Sequence, residues 1–228
     1  LKVHAPTLCF CNERVKNSPF PDSVEKTESA LKLFDGFFYV DEFAADLFER
    51  SGKPQRWVSQ FADDSLYRAT YPLERRKGDI YFRAQLSNFG LQGVYDRRRR
   101  LIEAVRDDPL FSIHGELVSP RRFARSLAQQ RIVLRAPSNC PGWVEAFWSA
   151  VAAGCIVLHH SLPPNEVRSR DLLSPSIHYV GYDADKPEQL REIAADVRKN
   201  WGDYARIAEA ARAVFLESFT IRKFVQDA

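Results

Sequence analysis

The sequence predicts an α/β chain built on parallel sheet, doubly wound with helices on both faces, and three observations carry that prediction. Short apolar or β-branched runs alternate with stretches of helical spacing along nearly the whole chain. The connections between them are short and hold Gly, Pro, Asn or Asp. The stretch 139–160, NCPGWVEAFWSAVAAGCIVLHH, reads as one loop, helix and strand unit. Asn139, Pro141 and Gly142 supply the turn, and apolar residues at 144, 147, 148, 151 and 152 then recur at helical spacing. Gly154 stops the helix, and Cys155 to Leu158 follows as a wholly apolar run, the kind of strand covered on both faces in a parallel sheet.

Taken in order, Leu8 to Cys11 is a short apolar run, and a polar loop with Pro19 and Pro21 leads to a helix cap at Asp22 and Ser23 before Val24 to Leu33. Asp35 and Gly36 turn the chain into a strand at Phe37 to Val40. Residues 43, 44, 47 and 48 mark a helix over Glu42 to Arg50, ended by Ser51 and Gly52, and Arg56 to Phe61 is the next strand. The charged segment Ala69 to Gly78, with Pro72, reads as a linker, dividing the chain into 1–72 and 73–228. A second alternation follows: strand Asp79 to Ala84, polar loop Gln85 to Gly93, helix from about Arg97 to Val105, strand Phe111 to His114, helix Pro120 to Gln129, and strand Ile132 to Leu134. After the 139–160 unit come a Pro-rich loop at Leu162 to Asn165, a strand at Ile177 to Val180, and helices over Pro187 to Lys199 and Tyr204 to Phe215.

The 228 residues, 45% of them hydrophobic, suffice for a substantial core, and a formal charge of +3 does not mark a dedicated nucleic-acid binder. Cys9, Cys11, Cys140 and Cys155 have neither zinc-site spacing nor the density of a disulfide scaffold, which fits a reduced, cytoplasmic setting. No run approaches the roughly 20 apolar residues of a transmembrane helix, and no signal-peptide pattern opens the chain. The absence of Met, and the two or three α/β units before Pro72, lead to the expectation of an incomplete amino-terminal domain with exposed apolar surface near Phe37 to Phe43. No His, Cys, Asp or Glu cluster has metal spacing, and no GxGxxG or P-loop is present.

The run SAVAAGCIVL resembles the Ala-x-Ala-x-Gly-(Cys/Thr)-(Pro/Ile)-Val-(Ile/Leu) signature in the carboxyl-terminal domain of GT-B glycosyltransferases, which have two Rossmann-like domains. It is most similar to the group 1 and spore-coat-type transferases, with an echo of an exostosin-type Gly-Cys-Ile. FDGFFYVDEFAADLFERSG, followed by FADDSLYRATYP, resembles the closing segment of the amino-terminal domain in the same fold. The resemblance implies a glycosyltransferase that moves a sugar from a nucleotide diphosphate sugar to an acceptor hydroxyl, with that sugar nucleotide as co-substrate, no metal and no further cofactor. It leaves the acceptor and the catalytic residues unassigned. In the signature, a Glu five residues before the Gly binds ribose, and here that position is Ser149. A second Glu of some families would fall on Pro141. Those departures keep open a second reading, a non-catalytic α/β binding or scaffold domain that retains the fold.

Open parallel sheets bind ligands at the carboxyl ends of their strands, where helix N-termini offer amide donors to anions. That rule makes Ser138, Asn139, Gly142 and Glu145 the first candidates, with Glu145 one helical turn before Ser149 and on its face. Arg83, Gln85, Ser87 and Asn88 follow one strand, and His114 and Gly115 another. Arg97 to Arg100 place four charges at a helix start, where the dipole disfavours them, and Arg98 shares a face with Leu101, Ile102 and Val105, directing it toward the cleft. His159 and His160, adjacent on a strand, are expected to point to opposite sides.

Overall fold

The computed structural model describes residues 6–11, 15, 22–84, 86, 94–138, 142–162, 164 and 166–227. They form two parallel sheets. The first is β1 (Leu8–Cys11), β2 (Gly36–Tyr39) and β3 (Gln55–Trp57) in that order, with α1 (Ser23–Leu31), a 3-10 turn (Glu42–Ala44) and α2 (Ala45–Glu49) between them. The second holds β4 (Lys77–Arg83), β5 (Phe111–His114), β6 (Gln130–Arg135), β7 (Ile156–His160) and β8 (Val180–Tyr182), in the order β5-β4-β6-β7-β8, every pair parallel. Its helices are α3 (Val94–Val105), α4 (Pro120–Ala128), α5 (Glu145–Ala152), α6 (Val167–Leu172), α7 (Pro187–Lys199) and α8 (Trp201–Ser218), and α9 (Ile221–Asp227) ends the chain.

The second sheet follows the period of two that its sequence implies. Ile80, Phe82, Ile132, Leu134, Ile156 and Leu158 pack on one face with Leu101, Leu190 and Ile207 from α3, α7 and α8. Tyr81, Val133 and Val157 face the other way, onto α4 and α5. Past its first residues α5 is buried on every side, which is why it is almost wholly apolar: Phe147 to Ala152 are all inaccessible, and Trp148 stacks on Phe219 at 4.2 Å. Burying one such side chain stabilises the fold by about 1.5–3 kcal/mol.

Several expected elements shift. The first sheet's last strand stops at Trp57 instead of reaching Phe61, because residues 58–62 leave the sheet to cross toward the second one. The segment read as a linker is shorter: it closes with a 3-10 turn at Leu73–Arg75, and β4 begins at Lys77. β8 is Val180–Tyr182, not Ile177 to Val180, since Ile177 is exposed and Ser176 takes a left-handed φ of 63° just before it. α6 and α9 are new. α9 returns to the first sheet, where Phe224 stacks on Phe61 at 4.4 Å and meets Phe38 edge-on at 5.0 Å. Ala62 and Thr220 form a parallel bridge beside it. The exposed apolar surface expected near Phe37 to Phe43 is absent: Phe37, Tyr39 and Val40 are buried, Tyr39 stacks on Phe48 of α2, and Phe38 lies under Phe224.

Candidate functional site

In the second sheet the order in which strands are added reverses between β4 and β6, and a doubly wound sheet opens a crevice at the carboxyl ends of the strands flanking that switch. A cavity of about 360 Å³ lies there. Its polar lining includes Arg83 at the end of β4, Arg135 at the end of β6, Ser138 after it, Arg98 from α3, and Glu145 at the start of α5. Gln60 and Tyr67 close it from the crossing segment, and Leu117, Val118, Pro120 and Phe123 form an apolar lip.

One wall is cationic. The Arg83 side chain donates from Nε to the Tyr81 hydroxyl at 2.6 Å and from Nη1 to the Glu116 carboxylate at 2.6 Å. Its own amide and that guanidinium hold the Glu116 carboxyl below the usual range. Arg98 is only 6% exposed and donates from Nε to the Pro137 carbonyl at 2.6 Å. Arg135 is equally buried, and its carbonyl accepts from the Tyr182 hydroxyl at 2.7 Å. Removing guanidinium groups from water is costly unless anions or strong acceptors meet them, so a wall built of them favours a polyanionic occupant.

The other wall is the turn into α5. Gly142 sits at φ 62°, and a β-carbon added there would collide with the Ser169 hydroxyl, so only glycine fits. Its amide donates to the buried Glu166 carboxylate at 2.8 Å, and the amide of Glu145 donates to the Gln60 side-chain oxygen at 2.6 Å. Both amides expected to meet an anion are therefore engaged by the protein itself. The Glu145 side chain is exposed at the cavity wall, though partial burial raises its carboxyl above the ordinary value.

The structure thus brings Arg83, Arg98, Ser138 and Glu145 together, with Gly142 just behind Glu145. Ser149, 1% exposed, packs inward and does not line the cavity; beside it the Tyr67 hydroxyl is pushed up by burial and drawn partly back by Ser149. His114 also stands outside the cavity, with Nε2 3.0 Å from the Ser112 hydroxyl and Nδ1 3.8 Å from Glu116. Asn139, Gln85, Ser87 and Asn88 lie outside the described residues. His159 and His160 do not diverge: their rings stack at 4.4 Å where the strand ends. His160 is held at a pKa of about 4 by burial and by nearby Arg97, Arg135 and Arg98.

Four polar lining residues were not among the expectations. Arg135 and Glu116 follow strands just as Arg83 and His114 do, so the strand-end rule could have found them. Gln60 and Tyr67 carry no local signal, because only the crossing of the chain between sheets brings them to the cavity. Among the described residues no group of three His, Cys, Asp or Glu gathers at metal-binding distance. No described helix is long and apolar enough to cross a membrane.

No protein-family model and no curated protein sequence matches the chain. Solved structures do. HepE from Anabaena, in complex with UDP and glucose, superposes with a TM-score of 0.69 at 13% identity over 97% of this chain and 70% of that one. Sucrose-phosphate synthase from Thermosynechococcus elongatus gives a TM-score of 0.59 at 9% identity over 90% of this chain and 59% of its own. The C-terminal domain of the group 1 glycosyl transferase LpcC from Francisella tularensis gives 0.50 at 11% identity, covering 70% of this chain and 98% of the domain. The chain has the Rossmann-like α/β architecture of the GT-B fold.

Proposed function

We propose that this chain is a glycosyltransferase that binds a nucleotide diphosphate sugar in the cavity between the ends of β4 and β6 and delivers its sugar to an acceptor hydroxyl. The observation that carries the proposal is the convergence of Arg83, Arg98 and Arg135 with Ser138 and Glu145 at that switch point. A nucleotide diphosphate has matching parts: a polyanionic centre for the guanidinium wall, a planar base for the lip of Val118, Pro120 and Phe123, and hydroxyls for the Glu145 carboxylate. Preorganised guanidinium groups stabilise charge as it grows on a leaving diphosphate. Neutralisation is assigned to those three arginines, and no metal ion takes part. We also place the division between acceptor-side and donor-side domains at Pro72, and the protein in the cytoplasm, in keeping with the free thiols of Cys9, Cys11 and Cys155.

UDP is the probe of choice, because HepE was solved with it. Calorimetric titration of UDP into the chain, with amide resonances followed in parallel, should show binding with shifts at Arg83–Ala84, Arg135–Ser138 and Glu145. Shifts confined to other segments, or no binding, would remove the cavity as the donor site. UDP binding without donor turnover across a panel of hydroxyl acceptors would speak for the second reading, a non-catalytic binding domain.

A further inference from the structure

We infer that the outer face of α4 is a docking surface for an anionic lipid bilayer. Between Glu116 and Glu145 the chain carries five arginines and no Asp or Glu; Arg131 is turned onto the Leu73 carbonyl and Arg135 lines the cavity, which leaves Arg121, Arg122 and Arg125 for the outer face. α4 turns Ala124 and Leu127 inward, which sets Arg121, Arg122 and Arg125 along its exposed side. Among the described residues, none of the three is in an ion pair, whereas on α3 Arg97 pairs with Asp185 at 2.7 Å and Arg99 with Asp96 at 3.2 Å. Arg121 and Arg122 also stand in the first turn of α4, where the helix dipole disfavours cations and the chain places no acid to offset them. The local conflict is relieved by an external anion. Leu117, just before the helix, is 72% exposed. A soluble polyanion has no use for that leucine, while a bilayer accepts both: basic side chains at the headgroups and an apolar side chain below them. Pro120 and Phe123 of the same helix line the cavity, so docking holds the cavity mouth beside the membrane.

The inference does not depend on the sugar-transfer proposal, and it is tested by co-sedimentation of the whole chain with vesicles. Phosphatidylcholine vesicles should leave the chain in solution, and equimolar phosphatidylcholine and phosphatidylglycerol should pellet it, less so as salt rises. Each basic side chain near an anionic surface contributes about fivefold, so Arg121→Gln/Arg122→Gln/Arg125→Gln should weaken partitioning by about a hundredfold, and the Glu series, which reverses the charge, by more. UDP affinity and the circular dichroism spectrum should be unchanged in the Gln series, which separates docking from folding. Leu117→Ser should cost about tenfold, the scale of one lost apolar insertion. Failure of the parent chain to sediment with anionic vesicles would overturn the inference. So would undiminished binding by a folded Gln or Glu series, or heparin binding together with an unaltered Leu117→Ser variant, which would identify a soluble polyanion instead.

Discussion

The two walls of the cavity hold the same kind of capacity in opposite states. At the turn into α5 the donors aimed outward are backbone amides, and protein oxygens from Gln60 and Glu166 already satisfy them. Across the cavity the donors are guanidinium groups on Arg83, Arg98 and Arg135, each carrying a full positive charge. A helix N-terminus is a generic anion site only while its amides are free; an arginine keeps its full charge whatever bonds support it. The contrast moves the expected weight of diphosphate binding from Gly142 to the arginines.

The largest effect should come from the cationic wall. Charged hydrogen bonds contribute about 1.5–3 kcal/mol each, so Arg83→Ala combined with Arg98→Ala should remove about 3–6 kcal/mol of UDP affinity. Gln60→Ala, on the opposite wall, should shift it by less than about 1 kcal/mol. Calorimetry on both variants, beside a melting curve for each, decides which wall carries the anion; a larger loss for Gln60→Ala would reverse the comparison.

His160, next to Arg135 and Arg98 of the cationic wall, sharpens it through pH. Its pKa falls from the ordinary 6.5 to about 4 on folding, so the unfolded chain binds the extra proton between those values. Stability should be fully present above pH 6.5 and decline as pH drops toward 4, by about 3 kcal/mol for a shift of this size. Urea titrations across that range should show the slope, and His160→Asn should reduce it, leaving the part due to His159, whose pKa burial also lowers well below the ordinary value.

Gly142→Ala tests the α5 turn on its own terms. A side chain forced to a left-handed φ against Ser169 should cost about 1–3 kcal/mol of unfolding free energy, read from the denaturant midpoint, and Ser169→Gly should recover part of it. Smaller still, Glu145→Ala should weaken UDP-sugar binding by about 0.5–1.5 kcal/mol, since its carboxylate is exposed, and Ser149→Ala should leave binding unchanged because Ser149 points inward. Equal losses would place Ser149 in the site after all.

Local pattern made most of the fold legible. The wholly apolar run at β7, the helical spacing of α5 and α7, and the turn residues between them each report on their own neighbourhood. What stayed hidden depends on distant partners. α6, with the sequence VRSRDL, has no apolar stripe; the Trp143 indole donates to the Ser169 carbonyl within it, and Glu166 at its start holds Gly142. α9 is held by Phe224 against Phe10, Phe38 and Phe61, residues more than a hundred and sixty positions earlier. At the site, Arg83, Arg98, Ser138 and Glu145 were readable because strand ends and helix starts announce themselves. Gln60 and Tyr67 were not, for a residue in a crossing segment has no period to betray it.

The return of α9 to the first sheet changes what a break in the chain would mean. The peptide links the two sheets once, through residues 58–76, and the Ala62 to Thr220 bridge lies beside that link without being joined to it. A protease cutting at exposed Tyr71 would separate the polypeptide into two pieces, yet the downstream piece would still own the helix that clasps the upstream one. The halves form a self-complementing pair, fastened by a C-terminal clasp even when the covalent thread between them is severed.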